Sequence, residues 1–194
     1  MKNIYLSLII AAVFSITITA QTKWSIDESH SKIGFAVSHM VVSEVEGIFG
    51  KYSADVETTG DNFENAKINI KIDVASIDTK NEKRDEHLRN EDFFDAPKYP
   101  EIKFVSKSFK KVDSKTWKLV GDFTIKNVTK EITLTGKFNG TVKDPWGNTR
   151  SGFKLSGTIN RFDYGLKWSN LLESGGLVVG KEVELNITVE LIKK

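Results

Sequence analysis

Residues 66 to 74 read Ala66-Lys67-Ile68-Asn69-Ile70-Lys71-Ile72-Asp73-Val74, with every apolar side chain on one parity and every polar one on the other. A period of two is what a strand produces when one face is buried and the other is wet; a helix would bring apolar residues round every third or fourth position. Turning the register by one residue would bury Lys67, Asn69, Lys71 and Asp73 together, so the face assignment is fixed by charge as well as by hydrophobicity.

The same alternation recurs along almost the whole chain. Ile33, Phe35 and Val37 carry it, then Ile48, Gly50, Tyr52, Ala54 and Val56, then Ile102 and Phe104. Trp117, Leu119, Phe123 and Ile125 follow, then Ile132, Leu134 and Phe138, then Phe153, Leu155 and Ile159. Val183, Leu185, Ile187, Val189 and Leu191 end the chain. Turn signals separate these runs: Thr59-Gly60-Asp61-Asn62, Lys126-Asn127, Asn139-Gly140 and Asp144-Pro145-Trp146-Gly147-Asn148. About eight one-sided strands with a single helical stretch among them predict an all-β fold, an extended eight-stranded antiparallel barrel, since closure removes the edges that such strands would expose. Several alternations persist for about nine residues, which makes the barrel roughly 30 Å tall. A two-sheet sandwich is the competing architecture.

The chain has 194 residues and no cysteine, so disulfide staples, a thiolate nucleophile and a Cys-ligated metal are all excluded. Met1-Lys2-Asn3 followed by an apolar run from Ile4 to Ile18 and Thr19-Ala20 has the form of a secretory leader. Cleavage is expected after Ala20, give or take a residue or two because Ile18 sits where a small residue is preferred. That leaves residues 21–194 as one domain, periplasmic or secreted. A retained anchor is the alternative, against which the run falls short of the ~20 residues a span requires. Lys and Arg number 28 against 26 Asp and Glu, a near balance that gives no support for a nucleic-acid partner.

Gly50, Ala54, Gly121, Gly136 and Gly157 fall on the apolar parity, where a filled core would carry larger side chains. Bulges and bends account for one or two such glycines. Five small residues on one face predict a cavity, and its lining predicts a long apolar ligand. An outer-membrane barrel would put the other parity inside, and that parity carries Lys67, Lys71, Asp73, Lys118, Glu131, Lys137, Glu182, Glu184 and Glu190. A narrow lumen could not pair so many charges, so the chain is read as not membrane-spanning. A structural or interaction barrel without ligand is the other alternative.

The helical stretch, about 80–90, opens on Thr79-Lys80-Asn81-Glu82, which has the form of a capping box. Asp85 and Arg89 are spaced to pair. Leu88 is its only apolar residue, so Phe93 and Phe94 are the expected anchors that hold it as a cap on or beside the barrel. Arg84, Asp85 and His87 hold the ingredients of a hydrolase or isomerase. Asp85 and His87 are two positions apart, however, and do not face each other on a helix. Asp27, Glu28, His30 and Ser31 resemble a triad fragment, but in a regular strand neighbouring residues point to opposite faces. The three histidines, His30, His39 and His87, have no metal-ligand spacing, and no metal or cofactor is expected.

Asp27 to Phe35, Ser76 to Thr79, Arg84 to Arg89, Asp92 to Asp95 and Tyr99-Pro100 resemble signature blocks of the YceI-like, polyisoprenoid-binding proteins. Gly121 to Ile125 with Val128 to Lys130, Asp144 to Asn148 with Arg150, and Ile159 to Gly165 continue the likeness, in order, over essentially the whole mature chain. The resemblance implies a lipocalin-like barrel, exported, that holds a long isoprenoid or other fatty chain without turning it over. It also implies a possible homodimer. Pore-lining positions carried over from it are Phe35, Val37, Ile70, Ile72, Phe104, Trp117, Phe123, Leu134, Phe153 and Leu155. Under the same resemblance Arg84, Asp85, His87 and Arg89 form a polar network that holds the cap.

Overall fold

The period-two runs pair side by side in one closed antiparallel sheet, described for residues 21–171 and 177–194 of the computed structural model. The expected leader at residues 1–20 lies outside the described residues. The strands are β1 (Gln21–Ile26), β2 (Lys32–His39), β3 (Ser43–Phe49), β4 (Tyr52–Thr59), β5 (Asn62–Asp73) and β6 (Ile77–Asp78). After helix α1 (Glu82–Arg89) come β7 (Glu101–Lys111), β8 (Thr116–Ile125), β9 (Val128–Lys143), β10 (Thr149–Asn160) and β11 (Val179–Lys193).

These eleven segments make eight staves. β1 and β2 run end to end along β11, with Trp24 opposite Lys193 and Ile33 opposite Ile187. β4 and β3 run along them in turn, with Trp24 opposite Val56 and Val37 opposite Val45. β5 and β6 do the same along β4 and β3, with Tyr52 opposite Ile72 and Ile48 opposite Asp78. From β7 the chain meanders unbroken through β8, β9 and β10 to β11, which closes the ring. The expected eight-stranded antiparallel barrel is therefore the fold, with its first three staves each broken in two.

The breaks are built alike and lean on one another. A 3-10 turn at Glu28–His30 interrupts the first stave, Gly50 and Lys51 the second, and a 3-10 turn at Val74–Ser76 the third. The Gly50 N–H donates to the Ser76 carbonyl at 3.0 Å, the Lys51 N–H to Ser76 Oγ at 3.0 Å, and the Asp73 N–H to the Lys51 carbonyl at 2.9 Å. Tyr52 reaches across to the Ser31 carbonyl at 2.9 Å. Each break also flips the parity: Trp24 faces in before the first and Ile33 after it, Phe49 before the second and Val56 after it, Ile72 before the third and Ile77 after it. A one-residue slip exchanges the faces of a strand. The alternation read straight through Ile48, Gly50 and Tyr52 is thus corrected, because Gly50 is exposed and Phe49 faces the interior.

The inward glycines are corrected in the same sense. A Cβ on Gly121 would run into the Phe104 ring and lie 2.5 Å from the Val105 carbonyl oxygen. On Gly136 it would meet the Lys154 carbonyl and lie 2.7 Å from Leu155 Cα. Gly157 would come within 2.7 Å of the Thr133 carbonyl oxygen. These residues admit a neighbouring strand or ring; they do not open space. Of the five small residues, Ala54 alone faces the cavity described below. Gly136→Ala therefore lowers stability by about 1–3 kcal/mol, because backbone must move. Urea unfolding measures it, and a variant as stable as the parent refutes the close approach.

Candidate functional site

The inward side chains divide the barrel into a plug, a bore and a cap. At one end six aromatic rings fill the interior. Trp24 lies 4.9 Å from Phe63, Phe63 lies 5.0 Å from Phe153, and Phe138 stacks on Phe153 at 4.8 Å. Phe109 and Trp117 join them at 4.8 Å from one another. Such contacts add about 0.5–1.5 kcal/mol each beyond the area they bury. Trp24 Nε1 donates to Thr58 Oγ1 at 2.8 Å, whereas Trp117 Nε1 has no partner among the described residues.

Above the plug lie two cavities in series, each of about 90 Å³. Both stay dry, because their surroundings offer water almost nothing to bond. The first is lined entirely by apolar side chains and Gly34. The second, under the cap, is lined by apolar side chains and by Arg161, which turns no polar atom to it. Phe35, Phe49, Ile102, Phe123 and Leu185 face both, and so form a waist between them.

Ile70, Ile72, Phe104, Leu134, Phe153 and Leu155 line the first cavity, Val37 the second, and Phe35 and Phe123 the waist. Trp117 is a correction: it faces inward but is buried in the plug, packed on Phe109, and lines neither cavity. Sequence reasoning missed Phe49, since the parity flip at Gly50 hides it. It also left out Ile102 and Leu185, which the alternation places inside and which could have been chosen. Arg161 had no signal beyond its place in the block Ile159 to Gly165.

The cap is pinned by polar contacts to backbone. Asn81, not Thr79, caps α1: its side-chain oxygen accepts the Arg84 N–H at 3.1 Å. Thr79 is otherwise engaged, because the buried Asp85 carboxylate accepts both its N–H (2.9 Å) and its hydroxyl (2.6 Å). Arg84 donates to Thr79 Oγ1 and to the Thr79 carbonyl, both at 2.7 Å. Arg89 donates to the carbonyls of Ala75 (3.0 Å) and Ile77 (2.9 Å), so the expected Asp85–Arg89 pair gives way to these contacts. His87 looks elsewhere, with Nε2 at 3.0 Å from an Asp92 carboxylate oxygen and its ring edge-on to Phe93 and Trp168. Asp85 and His87 thus serve different partners and present no shared acid–base pair. Below them Phe93 and Phe94 reach into the second cavity, and Phe94 meets Phe49 edge-on at 6.1 Å.

A second charged cluster lies where the barrel closes. Arg150 on β10 holds Asp27 at 2.6 Å, Glu190 on β11 at 2.6 Å and Asp144 at 2.7 Å. His30 Nδ1 is 3.0 Å from Asp27. The 3-10 turn brings Asp27 and His30 to one side, which corrects the opposite-face reading made for a regular strand. Among the described residues, Asp27, His30 and Glu190 are the one group of three whose donor atoms converge as metal ligands could. The Arg150 guanidinium already supplies the positive charge there. Arg150 first, and then His30, hold the Asp27 carboxyl down at about 2. Arg150 also keeps Asp144 well below the usual carboxylate range.

A closed antiparallel barrel with an apolar bore, plugged at one end and capped at the other, is a lipocalin-like barrel. Residues 24–191 match the YceI-like domain family, and the chain belongs to that family. A Staphylococcus aureus (strain MSSA476) protein of the UPF0312 group is 39% identical over 170 residues, spanning 87% of this chain and 96% of its own. The crystal structure of a Campylobacter jejuni YCEI protein superposes with a TM-score of 0.70 at 34% identity, over 81% of this chain and 90% of the other. A polyisoprenoid binding domain from Saccharophagus degradans has the same fold, with a TM-score of 0.65 at 16% identity over 88% of this chain and 98% of the other.

Two outcomes follow from the polar contacts. Asp85→Ala leaves two buried Thr79 donors without an acceptor and lowers stability by about 2–4 kcal/mol, read by urea unfolding; a loss within 0.5 kcal/mol refutes the pin. Asp27, whose folded-state pKa is depressed, contributes stability that is fully present above about pH 4 and is lost as pH falls toward 2. Stability curves of the parent and Asp27→Asn therefore converge between pH 4 and pH 2, and parallel curves across that window refute the linkage.

Proposed function

We propose that the protein binds one long, slender apolar chain, a polyisoprenoid or comparable fatty chain, along the bore, and that it carries or stores the chain without chemical change. The observation that carries this reading is the pair of apolar cavities in series, joined at a waist of rings and branched side chains. A compact ligand would occupy one cavity; only a thin, linear one can reach through Phe35, Phe49 and Phe123 into both. Burying a chain there is favourable by about 25 cal/mol per Å² of apolar surface removed from water. Aromatic side chains can turn to widen the waist more readily than backbone can move. The polyisoprenoid-binding domain of the same fold supports the choice of ligand class.

The separate engagement of Asp85 and His87 supports a binding role over a catalytic one. Export to the periplasm or beyond is part of the same reading, supported by the apolar run from Ile4 to Ile18. A filled barrel that serves only as a scaffold is the rival.

Native mass spectrometry of the purified protein, followed by organic extraction, separates the two. One lipid chain per protein chain is expected. Ala54→Phe, which projects a ring into the first cavity, is expected to abolish that added mass while the far-ultraviolet dichroism stays that of the parent. A bare protein mass unchanged after incubation with polyprenyl and fatty-chain lipids refutes the proposal and leaves the scaffold.

A further inference from the structure

The outer wall of the barrel sorts its charges by height. Lys118 alternates with the buried Trp117 and Leu119, and Lys154 with the buried Phe153 and Leu155, so both point outward. Lys110 stands directly opposite Lys118 across β7 and β8, and Lys137 directly opposite Lys154 across β9 and β10. Like charges in facing positions are unfavourable in a sheet. The two pairs also adjoin diagonally, since Lys118 faces Thr135 and Lys137 faces Thr116 on the same two strands. All four lysines are exposed, and none pairs with a described carboxylate; the lysines that do are Lys80, Lys103, Lys107 and Lys193. Lys111 at the end of β7 and Lys115 in the turn after it extend the cluster. Towards the cap, β8, β9 and β11 carry Asp122, Glu131, Glu182 and Glu184 instead. The near balance of charge over the whole chain conceals this sorting.

The plug end also exposes apolar side chains. Val112 in the turn between β7 and β8 is 62% exposed, Val142 on β9 is 63% exposed, and Trp146 at the tip of the β9–β10 hairpin is 81% exposed. The Phe138 N–H donates to the Lys115 carbonyl at 3.2 Å and so ties the first turn to β9. The hairpin tip is stiff. Asp144 Oδ1 accepts the N–H groups of Trp146 (3.0 Å) and Asn148 (2.8 Å), its other oxygen holds Asn148 Nδ2 and Arg150, and Gly147 supplies a φ of 91°. That turn needs its Asp and its Gly, and places no demand at position 146 that a small polar residue would not meet. It nonetheless holds an indole out in water.

We propose that this end of the barrel, the outer wall of β7 to β10 together with the tip at Trp146, docks on the surface of an anionic lipid bilayer. Facing phosphate-bearing head groups relieves the repulsion between the paired lysines, and their long stems let the ammonium groups reach a plane that a convex wall only approaches. An indole settles at head-group depth, and the valines beside the lysines add apolar contact there. A linear polyanion would call for a charged groove; a convex wall of lysines ending in an apolar tip fits a charged plane with an apolar interior. Because the acids lie towards the cap, the docked molecule stands with its plug end down. The inference does not depend on what occupies the bore.

Vesicle sedimentation tests it on residues 21–194, which hold every stave of the closed sheet and lack the apolar run Ile4 to Ile18, a segment that would seek lipid by itself. Vesicles of phosphatidylcholine with about 30% phosphatidylglycerol are expected to bind at least about tenfold more tightly than phosphatidylcholine alone, and the difference is expected to shrink as salt rises. The combined changes Lys118→Gln, Lys137→Gln and Lys154→Gln are expected to erase the difference and to leave thermal stability at or above that of the parent, since they remove like-charge repulsion. Anionic vesicles are expected to shift tryptophan emission to the blue, and Trp146→Ala to lose that shift, because Trp24 and Trp117 are already buried. Equal binding to both kinds of vesicle, or parent-like binding by the lysine variant, overturns the docking face. Binding to heparin without a blue shift on anionic vesicles assigns the face to a soluble polyanion and overturns the bilayer. The changed lysines lie outside the bore, so the mass measurement above reads the bore separately.

Discussion

β11 pairs with β10 along one edge and with β1 and β2 along the other, and this closure is the constraint on which the remaining structure depends. A closed sheet has an inside, so each strand must commit one parity to it, and a period-two sequence can do so without leaving an open edge. The seam is reinforced where β1 gives way to β2. The Asp27 N–H donates to the Glu190 carbonyl at 2.8 Å, and the Glu190 N–H to Ser31 Oγ at 2.9 Å. Arg150 then ties Asp27 and Glu190 to the turn at Asp144, linking three consecutive staves by their charges. The seam's strength is therefore partly ionic, and its acid limit is set by Asp27.

The breaks in the first three staves are the second consequence of closure. Straight staves of this length would twist the wall continuously, whereas a break inserts a bend and resets the parity. The three breaks bond to one another laterally, Ser76 to Gly50 and Lys51, and Tyr52 to Ser31, so they behave as one feature. The third break also serves the cap, since Arg89 is held by the carbonyls of Ala75 and Ile77 on either side of Ser76. A change at the bend is thus felt at α1.

What the sequence discloses is what depends on nearest neighbours along the chain. Alternation fixed the class, the number of staves and most of the wall, including Ile70, Ile72, Phe104, Leu134 and Leu155. Features set by partners remote in sequence were not legible. The second stave flips at Gly50 because Ser76 bonds there, and no local pattern at 48–52 records it; Phe49 was lost for that reason. Gly121 and Gly136 read as open space because the ring of Phe104 and the backbone at Lys154 arrive from other strands. Thr79 has the sequence of a cap, yet its hydroxyl is claimed by Asp85, and Asn81 takes the role. Asp27 and His30 meet because a 3-10 turn replaces strand at that point.

Arg150 and Arg161 show how one side chain is put to different uses by its surroundings. Arg150 stands at the seam with its charge matched by three carboxylates, so its contribution is to the barrel's closure and is screened by salt where the cluster meets water. Arg161 stands inside, where its hydrogen bonds go to carbonyls that orient the guanidinium without neutralising it. Neutral dipoles lower the energy of a buried cation by less than an anion does, because the monopole term is left unmatched. At the opposite end the interior is closed by six rings with no charge among them. The bore wall therefore presents no charge at either end, and its length and the waist at Phe35, Phe49 and Phe123 are what limit an occupant.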